Sequence, residues 1–398
     1  MNLLVKTSLM GQSDFVDSMK HFFYFLFCLS LACPVFGDDE AKRPVKVFIL
    51  AGQSNMEGKG KVDPLLNHQI KAPETKDFFA HFHKDGEYIE RDNVWINYLN
   101  RRGKLTVGYG SPGCIGLELQ FGHIMGNHYE EPVLLIKTAW GGKSIGIDFR
   151  PPSSGLQSVE VIAESVENMI KRDYNNIIRN EWNKAKKDNP EIKRKEIEGK
   201  SSASIAEIRK AKADHYRKQV VERYGHFYRL MMTEIKTTLS EIKPRFPQYD
   251  GRGYEIAGFV WFQGWNDMYG HLPGEYAKNM ENFIRDVRKE LDVPNLPVAI
   301  GIMGQNGFKE AKGNMAVVQK AQASMNDVLD FKGNVKAIPT DIYWDKRADE
   351  AFPKWRENLE DWVLIGSDFP YHYLGSTITF TRIGQALAQT MLKLRDEK

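Results

Sequence analysis

Apolar residues along this chain fall into short, nearly continuous runs, separated by longer stretches in which they recur every three or four positions. Four such runs lie at 45–51, 133–139, 256–262 and 298–303, each rich in β-branched residues and none alternating regularly with polar ones. Continuous runs of this length predict strands buried on both faces, the habit of a parallel sheet. Residues 335–339 form a weaker fifth. Helical spacing fills the gaps, over 117–128, 276–291 and 314–327, and a last helix over 382–394 ends in a charged tail. Strands alternating with helices predict an α/β fold, a doubly wound parallel sheet with helices on both faces.

One segment breaks the alternation. From about 159 to 242 there is no strand-like run, and Lys, Arg and Glu are dense. Its ends are apolar at helical spacing (Val161, Ile162, Val166, Met169, Ile170, then Tyr224, Phe227, Leu230, Met231, Ile235, Leu239), whereas 184–200 has little to bury. This predicts two long helices joined by a solvated charged stretch, a helical insertion bracing the domain edge, with a lid as the alternative.

The N-terminus reads as an address. A dense apolar run at 22–32 follows Lys20 and precedes Asp38, Asp39 and Glu40. It falls short of the ~20 residues needed to span a bilayer. The pattern is that of a signal peptide over 1–37, with Val35 and Gly37 as small residues before the cleavage point. Met19 is an alternative start. The expectation is a secreted or periplasmic protein without stable membrane insertion, its remaining 38–398 forming one domain. Removal of 1–37 would leave Cys114 as the single cysteine, which excludes a disulfide framework.

Charge narrows the class further. Fifty-five Lys and Arg against 52 Asp and Glu give +3 over 398 residues, with 42% of residues hydrophobic and 12% aromatic. So balanced a chain argues against a nucleic-acid partner, which requires clustered positive excess. None of the histidines pairs with a second ligand at metal spacing, and no metal or other cofactor is expected.

Chemistry collects where apolar runs end. The first run leads into Gly52-Gln53-Ser54-Asn55-Met56, which places a hydroxyl at the carboxyl end of a strand, where open α/β sheets hold their ligands. The second ends in Trp140-Gly141-Gly142-Lys143-Ser144, a glycine pair whose N–H groups can turn toward a ligand. The third ends in Gln263-Gly264-Trp265-Asn266-Asp267. Near the C-terminus, Asp368 and His372 place a carboxylate and an imidazole within five residues. Serine is a weak nucleophile until an imidazole accepts its proton. A carboxylate holds that imidazole in the required tautomer. Preorganised N–H donors then stabilise the oxyanion of acyl transfer. All three needs are represented.

The constellation resembles the SGNH/GDSL hydrolase superfamily, and within it the sialate O-acetylesterase-like branch that includes the acetylxylan esterases of carbohydrate esterase family 6. The resemblance implies a three-layer α/β sandwich, with Ser54 as nucleophile, His372 as base and Asp368 as its orienting acid. It further implies an oxyanion hole from the Ser54 and Gly142 N–H groups (or that of Gly141) and the Gln263 amide. Gln53, Asn55, Gly141, Trp265 and Asn266 would line the substrate, an acetylated carbohydrate. Two departures stand out. Trp265 occupies the place of the family's glutamate, for which Asn266 or Asp267 could substitute. Asp368 lies four residues before His372 rather than three, so Asp341 and Asp345 are alternative acids and a Ser–His dyad a further option. An esterase acting on non-carbohydrate acyl groups and a catalytically silent carbohydrate-binding protein are the competing readings.

Overall fold

A computed structural model describes residues 42–396. The signal-peptide expectation at 1–37 lies outside the described residues. Seven strands form the main sheet: β1 (Val45–Gly52), β2 (Arg91–Tyr98), β3 (Arg101–Leu105), β4 (Val133–Ala139), β5 (Tyr254–Phe262), β6 (Val298–Ile302) and β7 (Val335–Pro339). Their order across the sheet is β7-β6-β5-β1-β4-β2-β3. Every neighbouring pair is parallel except β2 with β3, which form an antiparallel edge. The chain builds one side of β1 first and then crosses to the other, so β1 lies at the topological switch. In β1 and its two neighbours the last residues are in register, Gly52 opposite both Ala139 and Phe262.

The continuous apolar runs follow from two buried faces. Along β1, Phe48 and Leu50 point into one core with Phe121 and Met125 of α1 (Glu118–His128). Val47, Ile49 and Ala51 enter the opposite core with Phe283 and Ile284 of α5 (Tyr276–Glu290). Side chains alternate across a strand, so a strand covered on both sides must be apolar at every position. The weaker run, β7, is an edge strand with Lys336 exposed, a device that blunts edge-to-edge pairing.

Two strands escape the pattern. β2 opens on Arg-Asp-Asn and carries Asn97 in its interior, and β3 is Arg-Arg-Gly-Lys-Leu. Asn97 is fully buried because its amide donates to Glu234 (2.7 Å) and its oxygen accepts from Arg245 (2.8 Å). Those partners lie more than a hundred residues away, beyond any local pattern.

The charged segment resolves into three long helices. α2 (Val159–Asp188) is N-capped by Ser158, whose oxygen accepts from the Val161 N–H, and α3 (Ile205–Arg223) is capped in the same way by Ser204. Between them runs a linker with one short helix, Arg194–Glu198. α2 and α3 pack on each other through a small core of Val166, Ile170, Ile208 and Tyr216. Expected as one helix, the second half breaks at Gly225, which has φ +66°, and a Cβ there would lie 2.7 Å from the Arg150 carbonyl oxygen. Beyond the break, α4 (His226–Ser240) turns Tyr228, Met231 and Ile235 into the sheet's own core. α6 (Gly313–Ala323) and α7 (Thr377–Asp396) complete the layers. α7 starts five residues before the expected Arg382. Its first turns are threonine-rich, which obscures helical spacing in the sequence, yet Thr377, Thr379 and Thr381 are all buried. Among the described residues no helix is long and apolar enough to cross a membrane.

Candidate active site

The carboxyl ends of β1, β4 and β5 form the floor of the site. β1 and β5 approach so closely that a Cβ on Gly52 would lie 2.2 Å from the Phe262 carbonyl oxygen, so only glycine fits there. The chain then turns into one helical turn, Ser54–Glu57, with Gly58 N–H donating to Ser54 O. Ser54 is buried at 7% exposure. Its N–H occupies the first helical position and has no intrahelical acceptor, as at every helix start.

The glycine pair after β4 is held from below. Glu57 Oε1 accepts from the Gly141 N–H at 2.6 Å, while its Oε2 accepts from Lys59 Nζ (2.9 Å) and Ser111 Oγ (3.1 Å). Gly141 is thereby engaged, whereas the N–H of Gly142 makes no bond among the described residues. Gly142 has φ +70° and open space where a Cβ would point. Glu57 was not singled out by the sequence reasoning; its place three residues after Ser54, one helical turn on, was the available signal.

Under this turn lies a buried cation. Lys137 on β4 donates to the carbonyls of Glu57 (2.7 Å) and Tyr109 (2.7 Å) and to Glu118 Oε2 (2.8 Å). Both side chains of the Lys137–Glu118 pair are essentially inaccessible. Burial pushes the Lys137 ammonium down from its usual range, and Glu118 opposes that shift.

Gln263 is similarly committed. Its amide nitrogen lies within bonding distance of Gln53 Oε1 (3.2 Å), Lys143 O (2.9 Å) and Asp267 Oδ2 (2.6 Å). An amide nitrogen carries two hydrogens, so three acceptors leave it none unengaged. Asp267 is completely buried and also accepts from the N–H groups of Ile145 (2.9 Å) and Gly146 (2.8 Å). Burial pushes its carboxyl up to about 7, against those three hydrogen bonds. Gln53 and Asn55 are buried as well. Gln53 Oε1 also accepts from Gly264 N–H at 3.2 Å, so Gln53 joins the floor instead of facing a ligand.

Asp368 and His372 arrive from the far end of the chain. His372 Nδ1 lies 2.9 Å from Asp368 Oδ2, and Asp368 Oδ1 accepts from Phe369 N–H at 2.7 Å. The extra residue between them is absorbed by the tight turn Pro370–Gly375. Burial pushes the Asp368 carboxyl up, but the bonds from His372 and the Phe369 N–H outweigh it and hold the group below its ordinary range. The alternative acids bond elsewhere. Asp345 caps a helix through Arg347 N–H, and Asp341 accepts from Ile342 N–H. Past His372, Tyr373 and Leu374 adopt φ of +53° and +59°. This costly backbone is fixed by the Tyr373 hydroxyl, which accepts from Gly304 N–H (2.7 Å) and shares a hydrogen with Thr340 (2.6 Å).

Two hydrogen bonds join the halves among the described residues, one of them from Ser367 Oγ to Lys59 O at 3.1 Å. Asn55 Nδ2 donates to Tyr371 O at 3.0 Å, linking the residue after Ser54 to the residue before His372 across 316 positions. Among the described residues no hydrogen bond connects the Ser54 hydroxyl to the His372 ring; catalytic bonds of this kind often tighten only once substrate is bound. Trp265 packs beside Tyr371 with ring centroids 6.0 Å apart, and Tyr371 stacks on Phe369 at 5.6 Å. Asn266 and Gly142 share the wall of a cleft of about 310 Å³. Among the described residues no group of three or more His, Cys, Asp or Glu side chains is placed to hold a metal ion.

Comparison with known proteins bears on this arrangement. The family model described as carbohydrate esterase, sialic acid-specific acetylesterase matches residues 44–199 and 194–342, most of the chain but short of the loop bearing Asp368 and His372. No curated protein sequence matches the chain. Similar solved structures include a protein from Arabidopsis thaliana (16% identity, TM-score 0.45, covering 88% of this chain and 98% of its own). Another is a carbohydrate acetylesterase from Xanthomonas citri (12% identity, TM-score 0.45, covering 89% of this chain and 57% of its own). With the family model spanning all three strand ends that carry Ser54, Gly142 and Gln263, the chain belongs to the sialic acid-specific acetylesterase family of carbohydrate esterases.

Proposed function

We propose that this protein removes acetyl groups from a carbohydrate through an acyl-enzyme formed on Ser54. The observation that carries this reading is the Asn55–Tyr371 bond, which brings an Asp-oriented imidazole to the turn that holds the serine. Ser54 Oγ attacks the ester carbonyl carbon while its proton passes to His372 Nε2. The resulting oxyanion is received by the Ser54 and Gly142 N–H groups, neither of which has another acceptor among the described residues. Gln263, with its amide committed to Gln53, Lys143 and Asp267, acts by fixing the floor. When the intermediate collapses, the bond from carbon to the sugar oxygen breaks and His372 returns its proton to that oxygen. Water then adds to the acyl carbon, again losing a proton to His372. Acetate departs and Ser54 regains its hydrogen.

Trp265 and Tyr371 offer aromatic faces beside this centre for the C–H surface of a sugar. Export is part of the same proposal, supported by the apolar run at 22–32, and sequencing the N-terminus of the secreted protein tests it. The activity test is acetate release from a panel of acetylated glycans and p-nitrophenyl acetate. Ser54→Ala and His372→Ala should each lower kcat by about 10³-fold or more. Glycan binding by the wild type without turnover of any ester would overturn the reading in favour of a silent binding protein.

A further inference from the structure

The cleft beside Gly142 and Asn266 is also walled by Arg223 of the helix pair. A second, larger cavity of about 500 Å³ lies between α2, α3 and the loop after β4. The two share Ile147 and Arg223 as lining residues, so the larger cavity adjoins the cleft that carries the Gly142 amide. The far part is lined by Ser165, Asn168 and Arg172 from α2 and by Gln219 and Arg223 from α3.

The charged residues lining the larger cavity are both arginines. Arg172 makes no hydrogen bond or ion pair among the described residues, and the charge beside it, Asp173, is already bonded to Lys212 and Tyr216. Arg223 uses only Nε, at 3.3 Å from Asp148 Oδ1, which leaves both terminal nitrogens unengaged. Asp148 is buried, offsets part of the Arg223 charge, and is held inward by its other oxygen, which accepts from Ser144 N–H (3.0 Å) and Ser144 Oγ (3.1 Å). The cavity thus presents two guanidinium forks, with amides beside them and no free carboxylate among its lining residues. Planar guanidinium groups match the paired oxygens of a carboxylate or sulfate, and Asn and Gln suit sugar hydroxyls.

We infer that this cavity is a subsite for the neighbouring sugar of a glycan chain, one bearing a carboxylate or sulfate, while the acetylated residue occupies the cleft at Gly142. The natural substrate is then an acidic oligosaccharide or polysaccharide rather than a free acetylated sugar. This inference rests on the esterase reading above.

The test compares three acetylated substrates: a neutral xylo-oligosaccharide, the same oligosaccharide sulfated, and an oligogalacturonide. The wild type should favour at least one acidic substrate over the neutral one by about tenfold in kcat/KM at low salt. High salt should shrink that preference, and Arg172→Gln with Arg223→Gln should abolish it. Arg172→Gln alone, a change at an exposed position, should reduce the preference severalfold and guards against a folding defect in the double variant. No acidic preference in the wild type, or an equal loss on neutral and acidic substrates, overturns the subsite. If the wild type cleaves none of the three and no p-nitrophenyl acetate either, the esterase reading fails instead. Whenever none of the three is cleaved, the subsite is decided by calorimetric titration of deacetylated oligogalacturonide into Ser54→Ala. Binding that Arg172→Gln weakens supports it, and no binding overturns it.

Discussion

Two regions of this molecule hold oppositely charged side chains at almost the same distance, to different effect. Beneath the Ser54 turn, Lys137 and Glu118 stand 2.8 Å apart with side-chain exposures of 0% and 1%. On the helix pair, Arg209 and Glu167 stand 2.7 Å apart with exposures of 49% and 31%. The exposed pair exchanges water for a partner at little net gain and is screened by salt. The buried pair cannot return to water, so each member depends on the other, and the backbone of the site is fastened to both. Distance alone therefore says little about which charges shape the protein. The helix pair can vary in charge and still stand on its small apolar core, whereas the floor tolerates almost no change.

The sharpest way to break this contrast is Lys137→Met. It removes the donor to the Glu57 and Tyr109 carbonyls and strands Glu118 in the interior, and should cost about 3–5 kcal/mol in denaturant unfolding. Stability equal to wild type would show that the buried pair contributes no more than a surface one.

Next in size is a pH effect from Asp267. Its carboxyl is raised to about 7 in the folded protein, above its value of about 4 in the unfolded chain. Between those values the native state holds the proton and the unfolded chain does not. The contribution is therefore fully present below pH 4 and lost as pH rises through 7. Unfolding free energy of the wild type relative to Asp267→Asn should fall from pH 5 to 8, by up to about 1.4 kcal/mol per pH unit. A flat or rising difference would mean that the three donors keep Asp267 ionised throughout.

Glu57→Gln sharpens the comparison on activity. An amide oxygen can still accept from Gly141 N–H, but the charge facing Lys59 is lost and the glycine pair is held less firmly. The expected result is a roughly tenfold drop in kcat on p-nitrophenyl acetate with little change in KM, smaller than the 10²–10³ seen when an oxyanion donor is lost. A change confined to KM would assign Glu57 to substrate binding. The smallest effect belongs to Arg209→Ala, which should leave the unfolding midpoint unchanged within error. A clear shift would mean that the helix pair relies on its surface charges after all.

Much of the fold was legible because burial on two faces writes itself into the sequence as continuous apolar runs. β1, β4, β5, β6 and β7 were all found that way. β2 was not, since Asn97 is satisfied by partners remote in sequence, nor was β3, a short polar edge strand whose Arg101 and Lys104 bond to nearby Gly108, Gly110 and Asp92. The threonine-rich start of α7 and the break at Gly225 were likewise hidden from helical periodicity. At the site, Ser54, the glycine pair, Gln263 and the Asp368–His372 pair could be named from strand ends and resemblance. Glu57 and Lys137 could not, because charged residues near a strand end look like surface.

The order of residues in the chain settled which groups were available, and the apolar runs settled that they would gather at the carboxyl ends of parallel strands. Only tertiary structure decided how those groups are used. Gly141 N–H is taken by Glu57 while Gly142 N–H is left open, and the Gln263 amide is committed to three acceptors. Asp368, and neither Asp341 nor Asp345, meets His372. The reason is physical. Apolar burial is additive and can be read from local pattern, whereas a hydrogen or a lone pair serves few partners at once, and which ones depends on everything packed around it.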